Sequence, residues 1–260
     1  EYGAVLKEGL YEDAERKETL LDLCRFSTNE SEDPISLSQY LEKMPDTQKE
    51  IYYISAETSA QALASPHLEG FKSKNIPVLI MTDAIDQFWL PMVGSFKEKK
   101  FTSITQGKIN LDELDSKNKD KKNKSNNDKD KQDKEYVDLI AQLKVVLGDQ
   151  VKDIRLSSKL TDSPVCLVAD EGDMDIAMEQ LMAQRDSNYK GAPRILEING
   201  DHSLIKNMKS LLSKKESNDL VSDAGTLLFE QARLMEGKMP ADPAQFSKIM
   251  NQFLLKAIPN

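Results

Sequence analysis

The sequence predicts an α/β protein, α+β overall: a small three-layer α/β/α segment, then a mixed α/β part that closes on two helices. Three observations point there. KEIYYISA is rich in β-formers and IPVLIM is a short, continuously apolar run, with a helical stretch between them; that order is the signature of a βαβ unit with a parallel strand pair. Beyond residue 135, strand-like and helical stretches alternate. The end of the chain carries two amphipathic helical patterns in series.

In chain order, EDAERKETLLDLCRF reads as a helix packing Leu20, Leu23 and Cys24, with Leu21 and Phe26 beside them. SLSQYLEKM is a second helix, in which Ser36 and Gln39 have capping-box spacing. KEIYYISA is a strand, ETSAQALASPHLEGFKSKN is helical in part, IPVLIM is a buried strand, and FTSIT at 101–105 adds another. The segment 116–135 has no apolar residue. It has nothing to bury against the entropy of ordering, so it reads as a charged flexible linker between 1–115 and 136–260.

In the second part, EYVDLIAQLKVVLG has helical periodicity, VKDIRLS and PVCLVA read as strands, GDMDIAMEQLMAQR as a helix and RILEIN as another strand. HSLIKNMKSLL is a short amphipathic helix. Residues 218–236 follow as a helix carrying Leu220, Ala224, Leu227, Leu228 and Met235. The last helix opens with Asp242 as N-cap and Pro243 at the first helical position, both favoured there. Phe246, Ile249, Met250, Phe253, Leu254 and Ala257 give it a wide apolar stripe. Such a helix packs on its own domain's core or on its copy in a second chain, and two in series suit a symmetric four-helix interface.

Composition narrows the function. The chain has 260 residues, enough for about two domains, and a net charge of −9. An acidic chain is a poor general binder of nucleic acid, and its longest apolar runs are too short to span a membrane. Neither nucleic acid nor membrane is therefore expected as a partner. Cys24 and Cys166 match no metal or redox spacing and read as small core residues in a reduced, cytoplasmic setting. With only His67 and His202, a histidine metal site or triad is not expected, and both read as capping or surface residues. No phosphate-binding glycine loop follows a strand. The chain opens on Glu1 rather than Met, within sequence that reads as folded, so it is expected to be a piece of a longer protein.

Two stretches invite a functional reading. DQFWLPM, 86–92, clusters Phe88, Trp89, Leu90 and Met92 just after a strand; either the aromatics pin this segment to the sheet or they form a patch that grips partners. In 172–185, Met174, Met178 and Met182 recur every four residues and Leu181 joins them on one helical face. Core is the common use of such a stripe, and a soft surface for varied apolar partners is the other.

Six stretches in register carry a resemblance: YGAVLKEGLYEDAERKETLLDLCRF, LSQYLEKMPDTQKEIYYISAET, ASPHLEGFKSKNIPVLIMTDAIDQF, RLSSKLTDSPVCLVADEGDM, LEINGDHSLIK and DPAQFSKIMNQFLL. Together they resemble the heat shock protein 90 chaperones, in their bacterial form, over nearly the whole chain except the linker. The resemblance implies the C-terminal part of the middle domain at 1–115 and the C-terminal dimerization domain at 136–260. It implies that ATP and Mg belong to the full-length protein, with the ATP site and the assisting arginine upstream, so no cofactor and no catalytic residue is expected here and the chain is not expected to act as an enzyme.

The resemblance further implies client binding through Phe88, Trp89, Met174, Met178, Leu181 and Met182. It implies homodimerization through 218–236 and 242–257, that is, Leu220, Leu227, Leu228, Met235, Phe246, Ile249, Met250, Phe253 and Leu254. Unfolded client proteins, a second copy and other chaperones are the expected partners. This sequence departs from the family pattern at Gly200, Gln87 and Pro91, and it ends in AIPN without an acidic docking tail. The alternatives are a dimeric cytosolic scaffold whose methionine helix is core, and a small-molecule enzyme built on the βαβ unit.

Overall fold

Alternation along the central strands organises the first sheet. In the computed structural model, residues 3–13, 15–107, 109–114, 122–186, 189, 191–213 and 218–258 are described. The chain falls into two units, Glu1–Lys117 with Ala169–Ala192 and Asn118–Val168 with Pro193–Asn260. Each is mixed α/β and holds one sheet.

The first unit begins with α1 (Gly3–Glu12), α2 (Lys17–Leu23), β1 (Ser27–Thr28), α3 (Leu37–Lys43), β2 (Ile51–Ser55) and α4 (Ser59–Leu63). It continues through a 3-10 turn at Pro66–Leu68, α5 (Glu69–Ser73), β3 (Leu79–Met81), α6 (Asp86–Val93), β4 (Ser95–Phe96) and β5 (Lys99–Ser103). The strand order is β1-β3-β2-β5-β4. β2 runs parallel to both β3 and β5, and the two-residue edge strands β1 and β4 are antiparallel.

Successive strand residues point to opposite faces. Ile51, Leu79, Met81 and Phe101 join one core with α1, α2, α3 and α6, while Tyr52, Ile54 and Ile80 join a second core with Ala62, Leu68 and Phe71. Both faces of the sheet are thus covered, which explains why IPVLIM is apolar throughout rather than alternating. The expected capping box is present: Gln39 N donates to Ser36 Oγ at 3.1 Å and Ser36 N to Gln39 Oε1 at 2.9 Å.

The chain then passes through α7 (Lys122–Leu147), β6 (Val151–Leu156) and β7 (Val165–Val168). It enters α8 (Ile176–Arg185) in the first unit and returns through β8 (Arg194–Ile198), α9 (Ser203–Ser213), α10 (Asn218–Met235) and α11 (Pro243–Ala257). The second sheet has the order β6-β8-β7, with β8 parallel to β6 and antiparallel to β7. Its core joins Leu139, Leu143 and Leu147 of α7, Leu196 and Ile198 of β8, and Val221, Leu228 and Phe229 of α10. Asp242 Oδ1 caps α11 by accepting from Ala244 N at 3.0 Å and Gln245 N at 2.9 Å.

Three local readings change. EDAERKETLLDLCRF is not one helix: α1 ends at Glu12, and Asp13 takes Arg16 N at 3.0 Å before α2 starts. Leu23 is exposed, because α2 stops there and the chain turns extended at Cys24 to bring Cys24 and Phe26 inward. The charged stretch 116–135 is helical from Lys122, as the leading part of α7; residues 116–121 lie outside the described residues. Composition reports what a segment cannot bury, and it is silent on continuation from an adjacent nucleated helix. Among the described residues, no helix is long and apolar enough to cross a membrane.

Candidate functional site

α6 divides its apolar residues between core and surface. Trp89 is 0% exposed. Its ring lies edge-on to Phe101 at 5.5 Å and against Phe26 at 6.2 Å, and its Nε1 donates to Asp86 Oδ1 at 2.7 Å. Trp89 is therefore core, which corrects its expected place in a client-facing patch: the indole needs both an apolar pocket and an acceptor, and only the interior offers them together. Phe88 is half-buried, and Met92, one helical turn on, is 59% exposed. Met92, grouped with Phe88 by the sequence, stands four residues from it on the same helix, within reach of one face.

Asp86 is fully buried and is held by Lys7 of α1 as well as by Trp89. Lys7 Nζ lies 2.9 Å from Asp86 Oδ1 and 2.8 Å from Asp83 Oδ2. Burial opposes the Lys7 charge, but the Asp86 and Asp83 carboxylates outweigh it and hold the ammonium above its ordinary range.

α8 turns one apolar and one acidic side chain inward. Its buried residues are Ile176 and Glu179. Glu179 is 2% exposed; its Oε1 accepts from Ala192 N at 2.7 Å, and Gly191, at φ +67°, brings its backbone against that carboxylate. A Cβ on Gly191 would lie 2.8 Å from Glu179 Cδ, so a glycine is required there on two counts. At about 100° per residue, Leu181 falls across the helix from this buried pair, while Met178 and Met182 lie on its flank, Met182 beside Glu179 at i,i+3. All three are half-buried, and Met174, just before the N-cap Asp175, is exposed. Both Phe88 and the methionine face lie in the first unit.

The terminal helices divide likewise. Leu228 is buried in the second core and Ile249 is buried too, so these two residues, expected at a dimer interface, are used within the chain. Leu220, Leu227, Phe246 and Phe253 are half-buried, and Phe253 packs against that core. Met235, Met250 and Leu254 are exposed, as are Leu234, Met239, Leu255 and Ile258, which lie outside the expected stripe; Leu255 reaches 76% and Ile258 70%. A stripe this wide serves two neighbours, and spacing alone does not say which residue meets which.

The remaining candidates are structural. Cys24 and Cys166 are buried, and burial pushes the Cys24 thiol up to about 11, away from thiolate chemistry. His202 Nδ1 accepts from Leu204 N at 3.2 Å at the start of α9, a capping role, while His67 is buried rather than at the surface. Among the described residues, no group of three or more His, Cys, Asp or Glu side chains is placed to hold a metal ion.

The described residues thus include a half-buried methionine face on α8 and exposed apolar side chains at the ends of α10 and α11. The sequence matches the Hsp90 protein family over residues 1–259, and the chain belongs to that family. Among its relatives is the bacterial chaperone protein HtpG of Roseobacter denitrificans, 40% identical over 99% of this chain and 41% of the relative. The HtpG of Paramagnetospirillum magneticum is 39% identical over 99% of this chain and 41% of its own length, and that of Streptomyces coelicolor 37% over 96% and 38%. The chain thus spans about two-fifths of the length of these relatives.

Proposed function

We propose that this chain is the dimerizing, client-binding portion of an ATP-dependent Hsp90-type chaperone of the cytoplasm, with 1–115 the C-terminal part of its three-layer middle domain and 136–260 its dimerization domain. The observation that carries the client-binding reading is α8: it buries Glu179 beside Ile176, leaves Met178, Leu181 and Met182 only half-buried, and follows an exposed Met174. A helix used only for core packing buries its apolar stripe in full. Methionine is flexible and polarizable, so one face repacks against many apolar segments at low cost. Phe88 and Met92 add a second apolar contact on α6.

Dimerization rests on the exposed side chains of α10 and α11, which a second copy of the same pair would cover symmetrically. Joining two arms raises the effective concentration of each client surface for the other. In this reading, ATP and Mg act elsewhere in the chaperone.

The test is titration of the full chain with a partly unfolded protein, followed by anisotropy, against Met174→Ser/Met178→Ser. Affinity is expected to fall several-fold while the melting temperature holds, because surface substitutions cost at most about 0.5 kcal/mol. A collapsed melt with a loss on the scale of core truncation, about 2–5 kcal/mol, would return the stripe to the core and leave the dimeric scaffold as the reading.

A further inference from the structure

We propose that Asp175 is a positioning residue that latches the methionine helix to the end of β5, holding the methionine face in register with Phe88 and Met92. This rests on the client-binding reading above and adds what orients the site.

The carboxylate works in two directions. Its Oδ1 accepts from Ala177 N at 3.0 Å and caps α8. Its Oδ2 accepts from Ser103 Oγ at 2.5 Å and from Thr105 Oγ1 at 2.9 Å. Both donor residues are buried, and their hydroxyl oxygens lie 2.8 Å apart. Hydrogen bonds to an ionised acceptor are roughly twice as strong as neutral ones. Two such bonds at a helix N-cap fix the point from which the helix sets out.

The chain leading to Asp175 is pinned along the same edge. Ala169 N donates to Thr105 O at 2.9 Å, Gly107 N to Ala169 O at 2.8 Å, and Gln106 Nε2 to Asp173 O at 2.6 Å. Beyond Asp175 the helix has other kinds of tie. Gln184 Nε2 meets Glu57 Oε1 at 3.2 Å between exposed side chains, and Glu179 holds its own following loop. Asp175 is therefore the point at which the start of α8 is joined to the end of β5. A client long enough to touch both α6 and α8 gains from their fixed spacing, because the second contact becomes intramolecular. A short peptide touching one face gains nothing from it.

Two variants of the full chain separate latch from cap. Ser103→Ala/Thr105→Val removes both donors and leaves Asp175 capping; Asp175→Ser keeps a short capping side chain that cannot span to β5. Hydrogen exchange over 176–185 is read beside two affinities: for a reduced, carboxymethylated unfolded protein and for a short Leu- and Phe-rich peptide. The expected result is faster exchange confined to 176–185, several-fold weaker binding of the long chain and unchanged binding of the peptide. Unchanged exchange, faster exchange with undiminished long-chain affinity, or an equal loss for peptide and protein would each overturn the latch. If Met174→Ser/Met178→Ser still weakens binding in that case, the client surface stands without the latch; if it does not, the client-binding reading itself fails.

Discussion

Truncation after Ala241 is expected to turn a dimer into monomers, the largest change in assembly that any single alteration here should cause. α11 leaves Met250, Leu254, Leu255 and Ile258 exposed, and only Ile249 of the helix is buried. Each large apolar side chain covered by a partner contributes roughly 1.5–3 kcal/mol. Association costs about 4–15 kcal/mol, so an interface stripped of this helix from both copies no longer offsets it. Sedimentation velocity across a concentration series reads the outcome. Because truncation also removes Ile249, Leu254→Asp/Leu255→Asp provides a second route. Both positions are exposed, so the fold should hold while charge repels the partner helix. A persistent dimer in both variants would remove α11 from the interface.

The largest loss of stability is expected from Lys7→Met. The ammonium lies between Asp86 and Asp83 with little exposure, and Asp86 has no access to solvent. Removing one partner of a buried pair leaves Asp86 without its counter-charge, with, among the described residues, only the Trp89 and Asp83 N–H groups donating to it, and costs about 3–5 kcal/mol, a large part of a marginal total. Lys7→Met/Asp86→Leu should cost less than Lys7→Met alone, despite stranding the Trp89 indole N–H, since the stranded charge dominates. Denaturant melts of the two single variants and the double variant measure the coupling. The sign with pH follows from the raised Lys7 value. Its contribution is fully present below the unfolded value of 10.5 and is lost as the pH rises through the higher folded value. Melts between pH 7 and 9 should therefore show no loss from this group.

Local signals in the sequence translated well where one residue type answers one backbone need. Ser36 with Gln39 and Asp242 with Pro243 sit at the helix starts their chemistry requires. The run IPVLIM lies in a strand region covered on both faces, paired in parallel with KEIYYISA as the βαβ reading expected. The site was less legible, because it depends on which face meets what. Trp89 and Phe88 are adjacent and similar in chemistry, yet one is in the core and the other is half-buried, a division set by Phe26 and Phe101 arriving from elsewhere. Glu179 reads as a solvent residue until Ala192 and Gly191 fold back on it. Leu228 and Leu254 sit in the same kind of stripe, and only the packed core separates them. The segment 169–192 lies between two strands of the second sheet in sequence but belongs to the first unit, a long-range choice no local pattern encodes.

The most direct measurement uses the methionines as reporters. With 13C-methyl methionine in the full chain, an unfolded protein is added and the ten methyl resonances are followed. The methyls of Met92, Met174, Met178 and Met182 are expected to shift and broaden, while those of Met81 and Met208, both buried, stay fixed as internal controls. Unmoved resonances at Met174, Met178 and Met182 in the presence of bound client would contradict the account.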